Sequence, residues 1–78
     1  MEHFRKDKDS RYMYLIKNFT EYRLYPYTPR NNEFERGLKY RLCESFYHEE
    51  QGEQIINELC KVSSIKEAEE LIAKGRIS

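Results

Sequence analysis

The sequence predicts a small all-α domain, a single bundle of three to four short helices. Three observations predict it. Apolar residues recur at helical spacing in four successive segments. The two prolines, Pro26 and Pro29, fall together between the first segment and the second. Ser64 and Glu67 form a capping-box pair ahead of the last. The alternative is an α+β fold with a short hairpin and a C-terminal helix.

Residues 1–9 are polar apart from Met1 and Phe4 and are expected to form a flexible arm, leaving 10–78 as one small domain. The first helix is expected over 10–24, capped by Asp9 or Ser10. Tyr12, Leu15, Ile16, Phe19 and Tyr22 mark its apolar face, and Pro26 ends it by disfavouring a helical Tyr25. A strand here would carry Met13 and Leu15 on one side and Tyr12, Tyr14 and Ile16 on the other. Both sides would then be apolar, which suits only a buried strand.

The second helix is expected over 31–48. Thr28-Pro29 and Asn32 with Glu35 offer two starts. Phe34, Leu38, Leu42 and Phe46 recur every four residues, with Tyr47 widening the stripe. Gly37 costs about 1 kcal/mol inside a helix relative to alanine and invites a close approach by another backbone or ring. A strand over 38–48 also alternates, but it sets Glu44 on the apolar side. The third helix, 53–62, rests on Ile55, Ile56, Leu59 and Cys60, with a short strand over 59–62 as its alternative. The fourth, 64–74, has Ser64 and Glu67 at its start and Gly75 at its end, around Ile65, Ala68, Leu71 and Ile72. The expected core adds Leu15, Ile16, Phe19, Phe34, Leu38, Leu42 and Phe46 to the apolar residues of the last two helices.

With 78 residues, 38% apolar and 36% charged, the core must be small. A chain of this length buries only about 60% of its unfolded surface, so a partner is a common source of extra stability. Lysines and arginines equal the acids overall, yet residues 1–41 hold ten bases against six acids and 42–78 four against eight. This +4/−4 split can steer association, including association of the chain with itself. Cys43 and Cys60 do not make a secreted disulfide framework, and no apolar leader or membrane-length run is present. A soluble, cytoplasmic protein is expected, with no membrane partner.

The residues argue against an enzyme, a metal or a cofactor. Structural zinc wants four ligands in paired short spacings, and Cys43, His48, Cys60 and His3 offer none. Cys43 and His48 are five apart and do not face each other on a helix. Glu44 and His48 do pair at i+4, where a solvated ion pair suffices.

Pro26-Tyr27 followed by Phe34-Glu35-x-Gly37 resembles the ribosome modulation factor and some short phage proteins, which carry a Pro-Tyr pair and then an aromatic residue shortly before a glycine. The basic character of the ribosome-bound family and the tryptophan often near that glycine are missing here. The resemblance implies a small bacterial or phage regulator and carries no residue roles with it.

Basic and aromatic residues interleave around this stretch, the composition of interface hot spots. Tyr25, Tyr27, Arg30, Arg36, Tyr40 and Arg41 are the expected contact residues. The expected function is a non-enzymatic interaction protein that occludes or bridges a macromolecular protein partner, in the manner of a phage or bacterial accessory regulator or inhibitor. The alternative is a nucleic-acid- or ribosome-associated protein using the same basic, tyrosine-rich face, against which the absence of a basic excess counts.

Overall fold

The chain forms five strands followed by one helix, in a computed structural model that describes residues 1–30 and 33–75. The strands are β1 (Arg5–Lys6), β2 (Met13–Lys17), β3 (Thr20–Pro26), β4 (Tyr40–His48) and β5 (Glu53–Val62), and the helix is α1 (Ile65–Ala73). They pair in sequence order as one antiparallel meander. The all-α bundle is therefore overturned. The helix expected over 10–24 is the hairpin β2–β3, the one over 31–48 is a 3-10 turn (Glu33–Glu35) and then β4, and the one over 53–62 is β5. The α+β alternative named one hairpin and a terminal helix, which understates a sheet of five strands.

Only the last helix stands where the sequence put it. Ser64 Oγ accepts the Glu67 N–H at 3.1 Å, and the Glu67 carboxylate reaches back to the N–H and hydroxyl of Ser63, each at 2.7 Å. At the far end Gly75 turns the chain with φ +64°, its N–H donating to the Ile72 carbonyl at 3.1 Å. The cap expected from Asn32 lies outside the described residues. Gly37 is not a point of close packing either. Its φ is +90° and an added Cβ would meet nothing within 4 Å, so glycine serves the turn into β4.

Alternation along the strands sorts the side chains onto two faces. Register pairs Met13 with Leu24, Leu24 with Leu42 and Leu42 with Cys60, which puts these residues on one side. That side meets α1. Leu15, Leu24, Leu42 and Val62 are buried there with Ala68 and Ile72, and Tyr22, Tyr40, Ile65 and Leu71 pack around them. One residue of the segment 1–9, expected as an arm, adds to this layer. Phe4 is buried level with Leu15, and its N–H donates to the Glu69 carboxylate at 2.7 Å. Several residues of the expected core lie outside it: Ile16, Phe19, Phe34, Phe46 and Ile56 are exposed.

A bulge interrupts β5 where Leu42 faces Cys60 and Cys43 faces Glu58, leaving Leu59 as the extra residue. It resets the pairing without exchanging the faces, and it kinks a strand that has no partner on its outer side.

Candidate binding face

The side of the sheet away from α1 carries no covering layer among the described residues, and the register lays its side chains out in rows. The first runs Tyr12, Tyr25, Arg41 and Lys61 across β2 to β5, with Tyr12 standing just ahead of β2. The second is Tyr14, Arg23, Cys43 and Glu58, and the third Ile16, Glu21, Ser45 and Ile56. Tyr27 continues the face beyond Tyr25, its N–H held by the Lys39 carbonyl at 2.8 Å.

The rings and cations interlock. The Tyr12 and Tyr25 ring centres are 5.2 Å apart with planes tilted by 45°. The Arg23 guanidinium carbon lies 4.2 Å from the centre of the Tyr12 ring, that of Arg41 5.8 Å from Tyr25, and the Lys61 ammonium 4.8 Å from Tyr27. Such stacking holds the rings half-buried without a core beneath them. Cys43 and Ser45 are small and buried at the centre, so the larger side chains close over them.

Each cation also has a carboxylate. Arg23 meets Glu21 at 3.4 Å, Arg41 meets Glu58 at 3.7 Å, and Lys61 meets Glu35 at 3.2 Å. Glu35 accepts the Tyr27 hydroxyl as well, and that bond together with Lys61 holds its carboxyl below the ordinary range. The same bond, with some burial, pushes the Tyr27 hydroxyl up. Burial works against the charge of Arg23, but the Tyr25 hydroxyl at 3.2 Å and Glu21 outweigh it and the guanidinium is held more firmly protonated. Its Nε–H is shielded and meets no acceptor among the described residues. A shallow recess lined by Asp7, Ser10, Arg11, Tyr12 and Tyr25 opens at the same corner.

The expected contact residues divide. Tyr25, Tyr27 and Arg41 come together on this face. Arg30 and Arg36 are exposed in the connection between β3 and β4, where the Arg36 N–H donates to the Glu33 carbonyl at 3.3 Å. Tyr40 points to the opposite side and packs against the core. Tyr12, Tyr14, Arg23 and Lys61 share the face and stand outside the expected contact set. The sequence holds a signal for them, since Arg23, Tyr25 and Tyr27 alternate, as do Tyr12 and Tyr14. Period-two spacing of rings and bases marks one side of a sheet.

Among the described residues no group of three His, Cys, Asp or Glu side chains is placed to hold a metal. Cys43 and Cys60 sit on opposite faces, and burial raises both thiols above their usual range. No helix among the described residues is long and apolar enough to cross a membrane. Compared with known proteins, the chain matches no family model, no curated protein and no solved structure.

Proposed function

We propose that the protein is a non-enzymatic interaction module that binds a protein partner on the uncovered face of its sheet and so occludes or bridges it. The observation that carries this reading is the interlocked set of Tyr12, Tyr25, Arg23 and Arg41. Tyrosine and arginine dominate interface hot spots because each supplies a large contact area and a polar tip at low ordering cost. Here stacking already holds them in place, so little freedom is lost on binding.

Charge favours a protein over a nucleic acid. Arg23, Arg41 and Lys61 are matched by Glu21, Glu58 and Glu35, and the face is neutral as a set. Affinity for nucleic acid comes mainly from cations free to replace phosphate counterions. The reading that remains for nucleic acid is stacking of unpaired bases on Tyr12 and Tyr25, which needs no net charge. Free thiols at Cys43 and Cys60 fit a reducing compartment such as the cytoplasm.

Immobilised wild-type protein and the double variant Tyr25→Ala/Arg41→Glu are to be incubated side by side in cell extract and eluted with salt. A protein retained by the wild type and lost by the variant is the expected outcome. An eluate dominated by absorbance at 260 nm would favour the nucleic-acid reading. The same proteins retained by both would end the assignment of this face.

A further inference from the structure

The opposite end of the sheet has a different character, and it follows from one turn. Asn18 and Phe19 join β2 to β3 as a two-residue connection, and both have positive φ, +51° and +66°. Tight hairpins want this geometry, and glycine ordinarily fills the second position because it alone adopts the conformation without strain. A phenylalanine stands there instead, with its ring fully in solvent at 105% relative exposure. Neither the turn nor the core gains from it.

Register brings more apolar side chains to the same end. Ile16 and Ile56 terminate one row on the uncovered face, with Tyr47 beyond them. Phe46 pairs with Ile55 on the other side, where Phe46 remains 46% exposed. Extending the pairing of Glu21 with Ser45 sets Phe19 level with Tyr47. The apolar end is rimmed by acids. Glu21 near the start of β3 and Glu49, Glu50 and Glu53 around the turn from β4 to β5 lie on it, beside Lys17, whose Nζ donates to the Ile72 carbonyl at 3.4 Å. Soluble proteins rarely leave such a patch unmatched.

We propose that this end is a second interaction surface, and that its occupant is a protein segment carrying lysine or arginine beside aliphatic side chains. Aliphatic groups would cover Ile16, Phe19, Tyr47 and Ile56 while the cations meet the glutamate rim. The same rim opposes a symmetric dimer through this end, because two copies would bring like charges together. The surface adjoins the tyrosine and arginine rows at Ile16, Glu21 and Ile56, while Phe19, Glu49 and Glu50 lie outside them, so Phe19→Gly and Tyr25→Ala/Arg41→Glu test the two assignments separately. Together they equip the molecule to bridge.

The test uses the full chain and a fluorescently labelled synthetic peptide of alternating leucine and lysine, followed by anisotropy. Two companion peptides replace leucine by serine or lysine by glutamate. The leucine–lysine peptide is expected to bind wild type, and Phe19→Gly is expected to weaken it by about tenfold while leaving the domain folded, with an unchanged or higher Tm. Glu49→Lys/Glu50→Lys is expected to weaken it as well. Equal binding by Phe19→Gly, or equal binding of the serine–lysine peptide, would overturn the proposal by leaving only non-specific charge. Concentration-dependent self-association of the wild type abolished by Phe19→Gly would overturn it by assigning the end to a second copy. Sedimentation with phosphatidylcholine vesicles that Phe19→Gly abolishes would do so by assigning it to a lipid surface.

Discussion

Phe19 shows how a single residue can work against the stability of its own fold. A left-handed backbone costs a side-chain-bearing residue about 1–2 kcal/mol, and glycine escapes most of it. Phe19→Gly is therefore expected to stabilise the domain by roughly 1 kcal/mol in chemical denaturation, where most substitutions in a small domain destabilise. Unchanged or reduced stability would mean that the exposed ring has a structural role after all. Glu67 is the reverse case. Its bonds to the hydroxyl and N–H of Ser63 lower its carboxyl below the usual 4.5, so the charged form is favoured in the fold. The stabilisation is present at neutral pH and is lost as pH falls through that lowered value. Glu35, lowered by the Tyr27 hydroxyl and Lys61, loses its contribution in the same window. Acid titration of wild type should thus show a loss of stability that the variant Glu67→Gln/Glu35→Gln shows less steeply. Ser64→Ala, which removes the other half of the cap, is expected to cost about 1 kcal/mol.

Between elements, the weight falls on β3, β4 and the helix that covers them. Leu24 and Leu42 face each other under α1 and are almost wholly shielded from water. Leu42→Ala is expected to cost about 2–5 kcal/mol, a large share of what a domain of this size has, and urea titration reads it directly. Glu69 ties the N-terminal segment to the helix through Phe4, so Glu69→Ala should raise amide exchange in residues 4–6 before it does so in β3 or β4. These elements were unequally legible in the sequence. Phe34, Leu38, Leu42 and Phe46 are spaced by four, and four residues return to one side of a helix and of a strand alike, so the pattern could not choose. Helix α1 was readable because Ile65, Ala68 and Ile72 use spacings of three and seven, which a strand cannot share. The β2–β3 hairpin was hidden by its turn, since Asn18-Phe19 contains neither glycine nor proline. The strand alternative for that segment looked unfavourable because both sides were apolar. Its second side turns out to be the tyrosine row, half-buried by stacking with arginine instead of by a second layer. Glu44 weighs against a strand at β4, yet at the middle of that strand it stays partly exposed and the Asn57 amide donates to it at 3.0 Å.

Across the whole molecule, the charge split seen in the sequence becomes a layout. Strand β4 runs from the aromatic, arginine-bearing end at Tyr40 and Arg41 to the acidic apolar end at Phe46 and Tyr47. Of the contact residues the sequence offers, Tyr25, Tyr27 and Arg41 share the uncovered face, and a proline-bound tyrosine pair is legible there because it has no helix to hide in. Tyr12, Arg23 and Lys61 share that face as well, and a helical reading scatters them. Among the described residues a meander with one helix leaves a full side of the sheet bare, and that side is built from stacked rings and paired cations. Its proposed role as the binding surface is tested most directly by titration calorimetry of the captured partner against wild type and against Tyr25→Ala/Arg41→Glu, with equal Tm first confirmed for the two proteins. A loss of at least 2 kcal/mol, about thirtyfold in Kd, is expected from removing two hot-spot side chains. Equal affinity for both proteins would contradict the account.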